Sequence, residues 1–227
     1  MDLEEKFSIR PERYPTGIGV LDNTVLRGIP QGSTVAVVGP PESASELILH
    51  SLAATGRKTE YILTSRSKHG LLEDIKRVKL DVVSEEEIED NVKVYDVKKS
   101  TGEFGDTVRK ALNNAKDGGN LIIDSFSKYH KDTQEFLNFA RKLHTKTKIN
   151  EGVTYLYFAS ELENLSRIEK EVLQLVDGVF YVQTNYDNDA IENNLYINKL
   201  RGLKLPKDSQ ELIFGTKLTI DMTSDIG

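Results

Sequence analysis

Apolar blocks of four to six residues alternate along the chain with longer stretches whose apolar positions recur at helical spacing. The blocks predict eight strands, at residues 35–38, 60–64, 92–97, 121–124, 153–158, 179–182, 195–200 and 217–220. The longer stretches predict helices at residues 71–78, 107–115, 134–143 and 165–176. Because the strands are short and nearly continuous in apolar residues, the pattern indicates an α/β fold with a mainly parallel central sheet covered by helices on both faces.

The two ends of the chain depart from this alternation. The late strands follow one another without helices, and residues 185–189 are rich in turn formers, so an antiparallel hairpin is expected to finish the sheet at its C-terminal end. Residues 1–30 carry turn signals at Pro11, Pro15 and Gly28 and are predicted to form a lead-in segment wrapped on the domain. The whole chain, residues 1–227, is predicted to be one domain.

Composition narrows the classes of function. The chain has 227 residues, of which 38% are hydrophobic and 29% charged, enough for a continuous core. The absence of cysteine excludes disulfides, cysteine-ligated zinc and thiol catalysis. No apolar run reaches membrane-spanning length, so a cytoplasmic protein without membrane contact is expected. The net charge of −6 argues against non-specific nucleic-acid binding, and nucleic acid is an unlikely partner.

The candidate chemistry lies in a loop between the strand at 35–38 and a helix predicted to begin near Ser43. Its sequence, GPPESASE at residues 39–46, has the length and position of a Walker A phosphate-binding loop, G-x-x-x-x-G-K-[ST]. Only Gly39 matches the motif. Ala44, Ser45 and Glu46 stand at the positions of the second glycine, the lysine and the magnesium-binding hydroxyl residue.

Two interpretations of this loop compete. Glu46 would bring a carboxylate toward a triphosphate, at a cost of about 1 kcal/mol in water and about 4 kcal/mol at an effective dielectric constant of 20 for charges 4 Å apart. Glu46 could instead ligate Mg²⁺, although no lysine compensates its charge. The favoured interpretation is an ordinary helix start, with Ser43 as N-cap and Glu46 completing a capping box. No cofactor is therefore expected, and ATP with Mg²⁺ at most weakly.

Six short motifs in order along the chain resemble those of RecA-superfamily ATPases, specifically the KaiC-like branch that includes archaeal RadA-related proteins. The motifs are YPTGIGVLD (14–22), GIPQGSTV (28–35), NLIIDSFS (120–127), LVDGV (175–179), KLRG (199–202) and LTID (218–221). The resemblance implies a RecA-like P-loop NTPase fold with a degenerate Walker A loop. It also implies a regulatory, archaeal-type signal-transduction role.

The same resemblance assigns roles to individual positions. Asp124 matches the acid that holds the Mg²⁺ water shell, or it caps the Ser125–Ser127 turn. At the end of the second strand, Ser65 and Arg66 stand where the family carries catalytic glutamates, so no catalytic residue is expected. The candidate nucleotide-binding positions of the degenerate site are Gly39, Ser43, Ser45, Glu46 and Asp124.

Lys199 and Arg201 match a family pair of cations that reaches the γ-phosphate held by the neighbouring subunit. Alternate residues of a strand point to the same side, so both side chains can act together. One hypothesis is that this pair completes the ATP site of an active partner in trans. The other is a pair of solvated cations at a strand end.

The sequence therefore favours a catalytically inactive pseudo-ATPase that regulates or scaffolds through protein contacts. Its partner is expected to be a second copy of itself or a related active ATPase. One alternative is a divergent, metal-dependent ATPase that uses Glu46 and Asp124. Another is a DNA repair mediator, although the loop at 159–164 is short and acidic. The four histidines are scattered, so no metal site is expected.

Overall fold

The computed structural model describes residues 12–64, 67–78, 83–97, 101–115, 118–129, 134–187, 190–203, 205–206, 209–214 and 218–220. Its strands are β1 (Arg13–Tyr14), β2 (Ile29–Pro30), β3 (Thr34–Val38), β4 (Thr59–Leu63), β5 (Val92–Asp96), β6 (Asn120–Asp124), β7 (Val153–Phe158), β8 (Gly178–Asp187), β9 (Ala190–Leu200), β10 (Gln210–Phe214) and β11 (Leu218–Ile220). Its α-helices are α1 (Ser45–Ala53), α2 (Lys68–Arg77), α3 (Glu85–Asn91), α4 (Thr101–Asn114), α5 (Gln134–Asn150) and α6 (Arg167–Leu175).

Nine strands form the central sheet in the order β11-β10-β9-β8-β3-β7-β6-β4-β5. The six strands from β8 to β5 run parallel to one another, and β9, β10 and β11 continue the sheet in antiparallel fashion. The predicted α/β fold, with a mainly parallel sheet and an antiparallel hairpin toward the C-terminus, is confirmed.

Helices cover both faces of this sheet, and each face has its own apolar cluster. Ile48, Leu71 and Ile88 bring α1, α2 and α3 into one cluster. Leu137 and Val172 bring α5 and α6 into the other, together with α4. All five side chains are at most 2% exposed, so each helix buries its apolar stripe against the strands.

Several elements differ from their sequence-based prediction. Residues 85–91, which are not among the predicted helices, form helix α3, started by a capping box between Ser84 and Glu87. Strand β10 was not predicted. The turn-rich link at 185–189 is extended strand up to Asp187, because the β8–β9 hairpin continues beyond the rest of the sheet. The end of this link, Asn188 and Asp189, lies outside the described residues.

From residue 12 onward, the N-terminal segment packs against the central sheet and its helices. Strands β1 and β2 pair antiparallel, and Tyr14, Ile18 and Leu21 are buried in the cluster that contains α1. The Arg57 guanidinium lies 3.3 Å from the centre of the Tyr14 ring, a cation–π contact that fixes this segment to the sheet. In the part of the chain described, no helix has the length and apolar character needed to cross a membrane.

Alanine substitutions at two glycines, one in a crowded and one in an open position, test the packing around the sheet. A Cβ atom on Gly152 would lie 2.2 Å from the Gly119 carbonyl oxygen, whereas one on Gly105 in α4 would meet no atom within 4 Å. We expect Gly152→Ala to lower the free energy of unfolding by about 1–3 kcal/mol through overpacking. Gly105→Ala should raise it by about 0.5–1 kcal/mol through helix propensity. Urea denaturation followed by circular dichroism measures both, and equal effects would contradict the packing shown.

Candidate functional site

The loop at residues 39–46 and Asp124 lie at the same end of the sheet, where the parallel strands have their carboxyl ends. The loop follows β3, Asp124 ends β6, and β7 lies between these two parallel strands. In open α/β sheets, ligand sites lie outside the carboxyl ends of the strands, which is this end of the sheet. The loop, Asp124 and the side chains that contact them therefore form the candidate site.

Three consecutive backbone N–H groups of this loop donate to acceptors within the protein. The Ser43 N–H donates to the Pro40 carbonyl at 3.0 Å. The Ala44 N–H donates to the Asn193 side-chain oxygen, and the Ser45 N–H to the Ser43 hydroxyl, both at 3.3 Å. These three donors come from the turn that would face a phosphate in a Walker A loop.

The beginning of the loop offers fewer donors still. Pro40 and Pro41 have no N–H group. The Gly39 N–H donates to the Phe158 carbonyl at 3.1 Å, which continues the pairing of β3 with β7. The Gly39 carbonyl accepts the Tyr157 hydroxyl at 3.1 Å. This half of the loop is therefore an extension of the sheet.

Two serine side chains fill the interior of the loop. The Ser43 hydroxyl donates to the Pro40 carbonyl at 2.7 Å and lies 2.7 Å from the Ser45 hydroxyl. Ser45, at the position of the Walker lysine, is fully buried. Its oxygen lies 2.1 Å from where a Cβ atom on Gly39 would sit. Gly39 is thus required by the serine packed against it.

The predicted capping box at this helix start is wrong. Helix α1 begins at Ser45 with Ala44 as its N-cap, and no side chain caps it. Ser43 cannot serve as N-cap to this helix because it lies one residue too early and its hydroxyl binds within the loop. Glu46 lies half-buried in the first turn of α1, where a carboxylate suits the helix dipole.

The β8–β9 hairpin contacts the loop through Asn193. Strand β8 pairs with β3 as far as Tyr181 and then continues to Asp187, past the end of β3, paired with β9. On its partner strand, Asn193 is 7% exposed and accepts both the Ala44 N–H and the Thr184 hydroxyl, the latter at 2.8 Å. Sequence reasoning missed Asn193. The available signal was a polar residue within an otherwise alternating strand.

Asp124 is buried, with 1% exposed, and its carboxylate accepts the Tyr61 hydroxyl at 3.0 Å. The nearby turn is held by other groups, since the Ser125 and Ser127 hydroxyls lie 2.9 Å apart. The Ser125 N–H donates to the Thr64 hydroxyl. Asp124 is therefore held by a tyrosine of the neighbouring strand β4. The positions predicted for the missing glutamates, Ser65 and Arg66, lie outside the described residues.

Lys199 and Arg201 lie at the other end of the sheet from the loop, level with the amino ends of the parallel strands. The register pairs Leu200 with Gly178, and Gly178 with Val35 near the start of β3. The rise along β3 therefore places this pair of cations about 15 Å from the loop. In a single chain the two predicted sets of site residues do not come together.

Both cations bind the end of helix α6. The Lys199 ammonium donates to the carbonyls of Leu173 at 3.2 Å and Gln174 at 2.8 Å. Arg201 donates to the Leu175 carbonyl at 3.3 Å. These last-turn carbonyls have no intrahelical partner, so the cations cap the helix. Burial, followed by repulsion from Arg201, lowers the pKa of Lys199 below its ordinary value.

A buried carboxylate at this end of the sheet joins four elements. Asp177 accepts the Thr34 N–H at 3.0 Å and the Arg201 guanidinium at 3.2 Å. His144 lies 3.4 Å and Lys148 3.6 Å from its two oxygens. Asp177 therefore ties β3, α5 and the end of β9 to the start of β8.

A family model described as a family of unknown function, DUF7125, matches residues 13–227. The chain belongs to this family. No curated protein matches it.

Among solved structures, the chain is similar to a KaiC-like protein from the hyperthermophilic archaeon Pyrococcus horikoshii OT3. The TM-score is 0.74, with 18% sequence identity, over 93% of this chain and 99% of that one. At this identity the likeness establishes the fold: the RecA-like, KaiC-like architecture expected from the six motifs is confirmed.

Asn193 tests how the loop is held closed. We expect Asn193→Ala to lower the free energy of unfolding by about 1–3 kcal/mol, because the Ala44 N–H and the Thr184 hydroxyl lose a buried acceptor. Asn194→Ala, on the adjacent half-exposed position of β9, is the matched control and should change it by less than about 0.5 kcal/mol. Urea denaturation compares the two. An equally small effect for both would show that Asn193 does not hold the loop.

His144 predicts a pH dependence of stability. Its pKa is lowered by burial, Asp177 opposes this shift, and Lys148, Arg201 and Lys199 add to it. The folded state therefore binds the proton less readily than the unfolded state, and stability falls as the pH drops below the ordinary histidine pKa of about 6.5. The loss is about 1.4 kcal/mol for each unit of pKa depression.

The measurement is the free energy of unfolding at pH 7.5 and 5.5 for the wild type and for His144→Gln. The variant should lose less stability on acidification, because it lacks the titrating imidazole. The same pH dependence in both proteins would contradict this assignment.

Proposed function

We propose that this protein is a catalytically inactive, KaiC-like pseudo-ATPase that regulates or scaffolds other proteins through its surface. The observation that carries the proposal is the closed loop after β3. A phosphate-binding loop works by turning its backbone N–H groups toward the ligand. Here the N–H groups of Ser43, Ala44 and Ser45 bind Pro40, Asn193 and Ser43 instead.

The charges of the loop support the same conclusion. The lysine position holds Ser45, whose buried hydroxyl offers no positive charge to a phosphate. Glu46 adds a negative charge at the next position. Asp124, the remaining acid for a magnesium water shell, accepts a hydrogen bond from Tyr61. The residues present do not fit a magnesium–triphosphate complex.

The second-strand positions agree with an inactive protein at the level of sequence. Activation of the attacking water in this class of enzyme requires a residue that orients it or accepts its proton. Ser65 and Arg66 supply no carboxylate there. In this proposal, the protein lacks both the phosphate contacts and the base that activates the attacking water.

A protein without turnover acts through partners. By analogy with KaiC-like proteins, we propose a cytoplasmic signalling role in a homo-oligomer or in a hetero-oligomer with a related active ATPase. A contribution in trans would require Lys199 and Arg201 to exchange their intramolecular acceptors for phosphate oxygens of the partner. Arg201, with 52% of its side chain exposed, is the better placed of the two.

Calorimetric titration with Mg²⁺ and a non-hydrolysable ATP analogue tests the proposal. We expect no saturable heat at millimolar nucleotide, because phosphate would have to displace the internal hydrogen bonds of the loop. The matched control is Ala44→Gly/Ser45→Lys/Glu46→Thr, which restores the three motif residues and should bind more tightly than the wild type.

Micromolar binding by the wild type would contradict the proposal. If that binding were lost in Glu46→Ala, and ATP hydrolysis were lost in Asp124→Asn, the protein would be the divergent metal-dependent ATPase. Both variants should be checked by circular dichroism, because Asp124 is buried.

A further inference from the structure

An open groove of about 880 Å³ runs between α5 and α6 on the outer surface of the protein. Its apolar base is formed by Leu137 and Leu175. The remaining lining residues are polar, and most are cationic: Arg141, Arg167, Lys170, Glu171, Gln174 and Arg201. Four cations face one carboxylate among these residues, although the whole chain is acidic with a net charge of −6.

The dipole of α6 does not explain two of these cations, Arg167 and Lys170. Arg167 and Lys170 lie in the first turns of α6, where the helix dipole favours acids. Arg167 contacts Glu171 at 3.2 Å but remains 88% exposed, and exposed pairs of this kind contribute little. The Lys170 ammonium donates to the Glu163 carbonyl. The charges are thus placed against the dipole and are open to an external partner.

The opposite charge pattern occurs on α3. This seven-residue helix carries Glu85, Glu86, Glu87, Glu89 and Asp90 and has no basic residue in its last turn. Acids suit its first turn, but Glu89 and Asp90 lie at the end where the dipole favours cations. Lys76 contacts Glu85 and Glu89.

Glu86 and Asp90 are two acids of α3 that do not contact Lys76. Both are exposed, and they lie four residues apart on one face of the helix. Arg167 and Lys170, three residues apart, likewise share one face of α6. Each surface therefore presents a pair of like charges with the spacing of one helical turn.

We propose that the α5–α6 groove binds the acidic helix α3 of a second copy of this chain. This inference rests on the proposed function, since it names a partner for the protein contacts that function requires. Helix α3 belongs to the cluster on one face of the sheet, and α5 and α6 to the cluster on the other. One molecule cannot join these surfaces to each other, so the contact forms between copies.

The position of the two surfaces determines the type of assembly. Because the groove and α3 are different patches on opposite faces, the contact is heterologous: every copy keeps a free groove and a free helix. Such contacts add further copies until a ring closes, or continue as a filament. We therefore expect species larger than dimers, strengthened at low ionic strength because the attraction is between exposed charges.

Charge reversal on each surface tests the contact by sedimentation velocity at low salt. Arg167→Glu/Lys170→Glu and Glu86→Lys/Asp90→Lys should each weaken self-association by about tenfold or more, since close intermolecular charge pairs become repulsive. An equimolar mixture of the two variants should restore association, because the reversed groove then meets the reversed helix. Lys110→Glu/Lys142→Glu changes the net charge as much as the groove variant but lies outside the groove, and should associate like the wild type.

Circular dichroism confirms that each variant folds, and Arg167→Gln/Lys170→Gln provides a milder groove variant if the reversal does not. A monomeric wild type at low salt, or association unchanged in the groove variants, would overturn the inference. Failure of the mixture to restore association would also overturn it. These results are independent of the nucleotide titration, so the proposed function can stand or fall separately.

Discussion

In the loop after β3, Gly39, Pro40 and residues 43–45 are buried, and a buried backbone N–H group without an acceptor costs about 1–3 kcal/mol. The surrounding structure meets this requirement from several directions. Pro40 and Pro41 remove two donors, the Ser43 side chain accepts a third, and the β8–β9 hairpin brings Asn193 to a fourth. The long hairpin is thus explained by the loop that it covers. The N–H groups of Ser43, Ala44 and Ser45 are thus all hydrogen-bonded within the protein.

At the other end of the sheet, the groups that need partners are carbonyl acceptors instead of N–H donors. Helix α6 ends there with carbonyls that lack intrahelical partners, and Lys199 and Arg201 supply donors to them. Asp177 in turn accepts from Arg201 and from the Thr34 N–H at the start of β3. Both ends of the central strand β3 are therefore fixed by hydrogen bonds from residues distant in sequence.

The parallel sheet could be predicted because its buried strands are nearly continuous apolar blocks. Strand β10 (Gln210–Phe214) could not, since it is short, mixes polar and apolar residues and lies next to the edge strand β11. The altered residues of the loop were evident from motif spacing alone. The Asn193 contact was not, because it joins residues 149 positions apart and depends on the register of a hairpin. The capping box failed for a related reason: the Ser43 hydroxyl found acceptors inside the loop.

The retained K-x-R-G motif shows how far a motif can be read without a structure. Lys199 and Arg201 cap α6 and bind Asp177 within their own chain, and these contacts account for both residues without any partner. Their presence therefore carries less weight for a role in trans than the resemblance alone would suggest. Charges that the helix dipoles do not favour are stronger evidence of a partner surface. Arg167 and Lys170 at the start of α6, and Asp90 at the end of α3, oppose the dipoles of their own helices. Since the helix dipoles do not favour these charges, the partner surface is best sought there.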